Sequence, residues 1–460
     1  MTTAGPSTPL RWAAMGPPPS TTGDLEPWTG ERLAADWVAE HHPGRTVSHV
    51  RTHSALHRGP GDLTWRVDVE LDGSGPAEEL TLLVHDEGGA RSVSELPDDP
   101  LLPSLAALLR GGALEPLLRT AGLGPRSGAR GPGYRATVVH HPREGACVLR
   151  VQVGDTEAYA KVYARADAAT NAAQRLRAVG THRLLASGGR VVRLPRVLAV
   201  DAALRTVLLE SLSAPEAPAG RPDDRTATAL PLTVDDVATA LRAFHDHHPS
   251  GRLPRVPATE HVSRVRAEQR LVGTLWPALA ERVDDAIRRA AAVLEEHAPD
   301  PADAVLCHGD FTPGQLVRVP GGLGLLDLDT VALGDPACDI GRFLAYEHVR
   351  TARSETSQSS QSSESSESSE SSESSAASRS ASVTARAHAA FLTAYGPVTG
   401  ATDPSALDAR VRAHRRLDLA LIALRAARRL KGARSALALD LLDDDPTADP
   451  PSDLAPGRHP

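Results

Sequence analysis

Residues 305–341 read VLCHGDFTPGQLVRVPGGLGLLDLDTVALGDPACDIG. Two short apolar runs, LVRV at 316–319 and LGLL at 323–326, flank the turn at Pro320, Gly321 and Gly322, which is the pattern of a β-hairpin. The hairpin leaves from a loop that holds Asp310 and returns at Asp327, so it brings two carboxylates side by side. The apolar VLC before His308 reads as a short strand that delivers His308, Gly309 and Asp310 to that loop. An amide, Gln315, lies five residues beyond Asp310, and further acids follow at Asp329, Asp335 and Asp339.

Such a set suits phosphoryl transfer. One carboxylate orients an attacking hydroxyl and accepts its proton, while an amide oxygen and a second carboxylate hold Mg²⁺ against the phosphates of ATP. The stretch resembles the aminoglycoside phosphotransferase and choline kinase branch of the protein-kinase-like fold. That family carries H-G-D-x-x-x-x-N, an I-D pair with its metal ligand, and G-D-P-x-x-D. Here these are His308-Gly309-Asp310, Gln315, Leu326-Asp327, and Gly334-Asp335-Pro336 with Asp339. The resemblance implies Asp310 as catalytic base, Gln315 and Asp327 as Mg²⁺ ligands, His308 as a brace of the loop and Asp339 as its anchor from the following helix. Asp335 takes a structural place. Asp329 stands behind the metal or faces substrate. Gln315 departs from the family's asparagine, but it offers the same amide oxygen on one more methylene.

Upstream, residues 134–163 form two alternating runs split by PREGA, then a third after GDTE, a three-stranded meander. Lys161, in AYAKVY, resembles the strand lysine of kinase-like folds that contacts the α- and β-phosphates. The helix after it should carry a glutamate partner, yet no Glu occurs between Ala160 and Val207, and Asp167 is the only acid near its start. Two more strands lead to Glu210, Ser211 and Leu212, where the family has its hinge and contacts adenine through the backbone; Glu210 and Leu212 mark that site. His245, His247 and His248 cluster at a helix end and read as exposed histidines rather than a metal site.

Composition sets the limits. The chain has 460 residues, enough for two or three domains, with 41% hydrophobic but only 3% aromatic residues. Alanine and leucine must supply most of the core, which favours helices. The formal charge of −8 argues against nucleic-acid binding, and no apolar run is long enough to span a membrane. Cys147, Cys307 and Cys338 are too scattered for a disulfide framework or a zinc site and fit a reducing cytoplasm.

The expected organisation is an α+β, bilobal kinase-like fold. Residues 1–27 form a disordered leader and 28–125 an N-terminal α+β segment, either a cap or an elaboration of the lobe. Residues 134–213 form a β-rich small lobe, and 214–349 with 384–445 a mainly helical large lobe. A Ser/Glu tract (350–383) and the tail (446–460) are expected to be disordered. The function expected is ATP-dependent phosphorylation of a small-molecule hydroxyl, a sugar or other metabolite being favoured over an aminoglycoside. A pseudokinase that only binds nucleotide is the non-catalytic alternative, resting on Gln315 and the missing glutamate. The acceptor preference rests on residues 410–434, which hold nine basic residues against one acid, Asp418. Arginines of that helix are expected to face outward or into the cleft and to repel a polycation.

Overall fold

The computed structural model describes residues 30–73, 78–110, 112–124, 133–142, 145–212, 232–362, 385–396 and 403–443. The leader and tail, and the Ser/Glu tract beyond Ser362, lie outside the described residues.

The described residues begin with α1 (Gly30–His41), then a four-stranded antiparallel meander of β1 (Arg45–Gly59), β2 (Asp62–Gly73), β3 (Glu78–Glu87) and β4 (Ala90–Glu95). Leu63, Trp65, Val67, Val69 and Leu71 take alternate positions of β2 and form the face that packs on Ala34 and Val38 of α1, as the two-residue period of a strand requires. The helices α2 (Leu105–Arg110) and α3 (Leu114–Thr120) follow. Their leucines pack not on this meander but on the next sheet. The segment 28–125, expected as one unit, is thus divided in its packing: its strands make their own core and its last two helices belong to the small lobe.

That lobe is a five-stranded sheet in the order β10-β11-β7-β6-β5. It is built from β5 (Arg135–His140), β6 (Ala146–Val153), β7 (Thr156–Tyr163), β10 (Val197–Asp201) and β11 (Thr206–Glu210). α4 (Ala166–Val179) covers the face opposite α2 and α3 through Ala169, Ala172 and Ala173. Two strands that the sequence reading did not anticipate, β8 (Arg183–Leu185) and β9 (Val191–Arg193), come before β10.

The large lobe holds α5 (Val234–His245), α6 (Ala258–Gly273), α7 (Pro277–Arg282) and α8 (Asp284–Glu296). The run from α7 to α8 is broken at Val283. The segment that decides the fold then gives β12 (Val305–Cys307), β13 (Leu316–Val319), β14 (Gly322–Leu325) and β15 (Ala332–Gly334). β13 and β14 form the expected hairpin, with Leu316 opposite Leu325, and β14 also pairs in parallel with β9. β12 pairs antiparallel with β15, placing Cys307 opposite Ala332. α9 (Pro336–Ser362) continues as helix through residues 350–362, into the tract expected to be disordered. α10 (385–395), α11 (Pro404–Arg428) and α12 (Gly432–Asp443) complete the lobe.

α11 runs through the middle of the lobe and packs on α6, α8, α9 and α12. It crosses α9 closely at Gly341, where a Cβ would lie 2.7 Å from the Arg415 amide nitrogen. The N-terminal meander rests on this lobe: Arg428 Nε donates to the His57 carbonyl at 2.9 Å, and the His57 ring meets Trp276 edge-on. Among the described residues no helix is long and apolar enough to cross a membrane.

Candidate active site

Strand alternation aims Lys161. Ala158, Ala160 and Val162 are buried beneath α2 and α3, so Lys161 and Tyr163 project from the other face, toward the hairpin of the large lobe. Lys161 Nζ lies 2.6 Å from Asp327 Oδ1 and 2.6 Å from Asp329 Oδ2. The Tyr163 hydroxyl donates to Asp329 Oδ2 at 2.9 Å. Burial pulls the lysine pKa down, but Asp329 and then Asp327 outweigh it and hold the ammonium above its usual range. Burial, followed by Asp329, pushes the Tyr163 phenol up.

The missing glutamate therefore has a replacement, and it does not come from α4. Asp167 spends its charge on Arg165, an exposed neighbour at the helix start. α4 instead contributes Arg175, whose Nη1 donates to the Asp329 carbonyl at 2.9 Å.

The turn at Asp327 is set by backbone geometry. Asp327 is left-handed, with φ 57° and ψ 58°, a conformation that costs most side chains but that Asp tolerates better. It turns the chain sharply out of β14 into the turn holding Asp329. Gly309 also needs positive φ, at +79°, and a Cβ there would lie 2.7 Å from the Thr330 carbonyl oxygen. A glycine between His308 and Asp310 is what lets the two loops touch.

His308 is buried and ties them together. Its Nε2–H donates to the Leu326 carbonyl at 2.8 Å, and its Nδ1 accepts from the Asp310 amide at 3.3 Å. The Thr330 hydroxyl donates to the His308 carbonyl at 2.9 Å. Beneath them Asp339, fully buried, accepts from the His308 amide at 2.6 Å, from the Gly309 amide at 2.9 Å and from His245 Nε2 at 3.1 Å. Burial alone would raise the Asp339 pKa, but its bond to His245 and the charges around it hold it below the usual carboxylate range. His245 Nδ1 meets the Tyr395 hydroxyl at 2.7 Å, and His247 donates to the Val179 carbonyl. These two histidines, expected to be exposed, are therefore structural. Asp335 sits at the start of α9, accepting from the Ala337 amide at 3.0 Å and from Arg410 Nε at 2.8 Å.

Asp310 remains open, its side chain 40% exposed. Arg342, one helical turn beyond Asp339 on α9, reaches it from below. Arg342 Nη1 donates to Asp310 Oδ1 at 3.2 Å and to the Gly309 carbonyl. Its Nε donates to Asp418 Oδ1 on α11 at 3.0 Å. Arg342 and Asp418 are both buried. Sequence reasoning missed Arg342, which fits no motif spacing. Asp418 had a signal: a lone acid in a strongly basic helix has a partner to meet.

One expectation changes. The arginines of α11 do not line an open basic face: Arg410, Arg415, Arg416 and Arg428 are buried, and Arg410 and Arg428 pair with Asp335 and Glu268. Their long stems fill the space between helices while the guanidiniums find carboxylates. The Glu210 side chain is held by Arg193 at 3.2 Å and Arg196 at 3.0 Å, so only backbone groups there are left for a ligand. Leu212 is buried against the hairpin, where a Cβ on Gly324 would lie 2.9 Å from its Cδ1.

The donor set suits a hard divalent cation. Asp327 and Asp329 offer carboxylate oxygens already drawn together around the positive charge of Lys161. Gln315 stands beside the turn, its backbone carbonyl accepting from the Leu326 amide at 2.8 Å. Oxygen donors of this kind are what Mg²⁺ requires.

A sheet-bearing lobe that offers a lysine to an acid-rich hairpin on a helical lobe defines a kinase-like phosphotransferase. Residues 139–359, just under half of the chain, match the family model described as the phosphotransferase enzyme family, which supports a small-molecule kinase. Among curated proteins none matches the sequence. Among solved structures, a choline/ethanolamine kinase family protein from Mesorhizobium loti is 15% identical, over 69% of this chain and 88% of its own, with a TM-score of 0.42. Choline kinase from Cryptosporidium parvum is 10% identical over 73% and 95%, TM-score 0.44. An aminoglycoside phosphotransferase from Streptomyces rimosus is 19% identical over 67% and 99%, TM-score 0.38.

Proposed function

We propose that this chain transfers the γ-phosphate of ATP to a hydroxyl of a neutral or anionic small molecule, with Asp310 as the base. The observation that carries this is Lys161 of the small lobe held between Asp327 and Asp329 of the large lobe. An ammonium and paired carboxylates at one cleft are the groups that Mg·ATP needs. Mg²⁺, when bound through Asp327 and Gln315, neutralises phosphate charge.

Lys161 then exchanges its carboxylate partners for phosphate oxygens and orients the nucleotide. Backbone groups at Glu210–Leu212 receive the adenine. Asp310 accepts the hydroxyl proton as the acceptor oxygen bonds to the γ-phosphorus and the bond to the ADP oxygen breaks. Arg342 holds Asp310 in place and supplies positive charge behind it. His308 and Asp339 keep the loop rigid, so that the base meets its target without reorganising. None of the three cysteines is in a disulfide, which suits a reducing cytoplasm.

The acceptor preference no longer rests on exposed arginines of α11. It rests on Arg342 and on Arg264 of α6, whose Nε has no hydrogen-bond partner among the described residues. Burial and the neighbouring Arg342 hold the Arg264 guanidinium below its usual range. Arg342 behind the base, with Arg264 beside it, disfavours a polycation. Incubation with labelled ATP and Mg²⁺ across sugars, sugar acids, amino alcohols and aminoglycosides tests this. Label on a neutral or acidic acceptor is expected; efficient transfer only to aminoglycosides overturns the acceptor class, and no transfer to any member of the panel overturns the catalytic proposal.

A further inference from the structure

Three side chains that play no part in the phosphoryl-transfer chemistry converge where α6, α9 and α11 meet below the Asp310 loop. They are His261, Cys338 and His414, and their ligating atoms all lie within 4.8 Å of one another. His261 Nδ1 and His414 Nδ1 are 2.9 Å apart, with the rings stacked at an interplanar angle of 11°. Cys338 Sγ is 3.9 Å from His261 Nδ1. Both histidines are buried and Cys338 is partly buried.

The outer nitrogens have their own surroundings. His261 Nε2 faces Asp418 Oδ1 at 3.5 Å and His414 Nε2 faces Asp335 Oδ2 at 3.8 Å. Neither nitrogen has a hydrogen-bond partner among the described residues, these carboxylates being the nearest acceptors they face. A carboxylate facing Nε2 favours the proton there, which leaves Nδ1 as the lone pair. With both rings in that tautomer, two lone pairs would meet at 2.9 Å. A neutral pair that shares one Nδ1 proton instead turns an Nε2 lone pair toward a carboxylate. A cation between the Nδ1 atoms removes the conflict, and the sulfur beside them is a ligand that a proton would not use.

We infer that His261, Cys338 and His414 bind a borderline divalent transition metal, zinc being the best match, as a structural site tying α6, α9 and α11 together. Zn–N bonds of about 2.0–2.1 Å and a Zn–S bond of about 2.3 Å in a tetrahedron place N···N at about 3.4 Å and N···S at about 3.6 Å. The observed 2.9 and 3.9 Å are within about half an ångström of those. The ring nitrogens donate Nδ1 while Nε2–H points to a buried carboxylate, the arrangement that orients metal-binding histidines. Asp335 and Asp418 already pair with Arg410 and Arg342, so the Cys338 thiolate supplies the charge that offsets the ion, and its proton leaves to solvent on binding. A fourth position is left for water. The site bears on the base through α9, because Cys338 and Arg342 are one turn apart on that helix.

The other buried trio, His245, Cys307 and Asp339, carries no such inference, because Asp339 is already engaged by two backbone amides and His245.

Metal content of the full-length protein, purified without chelator from zinc-replete cells, tests the inference. One zinc per chain is expected. Cobalt exchanged into the protein should give thiolate-to-cobalt charge-transfer absorption. Cys338→Ser should lose that absorption and bind zinc at least tenfold more weakly, while Asp327→Asn, altered at the nucleotide cleft, should keep both. The site is overturned if the wild-type protein neither retains zinc nor takes it up from an equimolar solution. It is equally overturned if Cys338→Ser binds zinc as the wild type does, or if Asp327→Asn is the variant that loses it.

Discussion

The acids of residues 305–341 divide into two groups that look alike in sequence and differ in surroundings. Asp310, Asp327 and Asp329 keep side-chain exposures of 40%, 37% and 24%, and their partners are an arginine, a lysine and a tyrosine at the cleft. Asp335 and Asp339 are at most 1% exposed and spend their oxygens on backbone amides, a histidine and a buried arginine. The open group can change partners when a nucleotide arrives. The closed group cannot, since a carboxylate stripped of its partners in the interior costs several kcal/mol. The proposed function gives chemistry to the first group and loop geometry to the second.

The largest stability change is expected at the closed group. Asp339→Ala leaves the His308 and Gly309 amides and His245 without their acceptor, and should cost about 3–5 kcal/mol, read by urea unfolding. A loss below about 1 kcal/mol would remove the distinction between the groups.

Next comes Lys161→Met. Its partners are partly exposed, so stability should fall by no more than about 1 kcal/mol, while turnover drops about 100-fold through lost phosphate contacts. Equal damage to stability and turnover would show that Lys161 is only a tie between the lobes.

Acid titration sharpens the contrast. The Asp335 and Asp339 pKa values are held below the usual range, so the native state binds fewer protons than the unfolded chain as pH falls. Their contribution is complete above the ordinary aspartate pKa of about 3.9 and is lost as pH falls through their lowered values. Urea midpoints should therefore decline below about pH 4, and Asp339→Asn should flatten that decline; an unchanged slope would contradict the role given to this carboxylate.

The smallest effect is expected at Gln315→Asn, which shortens the amide by one methylene. Activity and Mg²⁺ dependence should stay within about threefold of wild type, since the amide oxygen persists. Complete loss would mean that the turn has been built around the longer side chain.

The sequence told much about the hairpin because its signals are local. The turn at 320–322, the alternation of β7 that aims Lys161, and the spacing of Asp310, Asp327 and Asp339 can all be read within short windows. What it concealed depends on distant helices. Arg342 meets Asp310 only because the loop folds back over α9, and Asp418 meets Arg342 across 76 positions. The arginines of α11 read as a solvated face because periodicity reports polarity and not the carboxylates waiting on neighbouring helices. The helix after Lys161 offers no glutamate for it, and the acids it meets lie beyond the large-lobe hairpin, 166 residues away in the case of Asp327. Cys338 appeared isolated, and only the crossing of α6, α9 and α11 brings His261 and His414 to it.

The central claim is that Asp310 serves the reaction and not the fold. It is met most directly by Asp310→Asn, measured for labelled phosphate transfer from ATP and for urea unfolding on the same preparation. Transfer should fall by about 10²–10⁴-fold, with nucleotide binding and the unfolding midpoint close to those of the wild-type protein. Transfer within about tenfold of wild type, or a loss of activity that only follows a loss of folded protein, would contradict it.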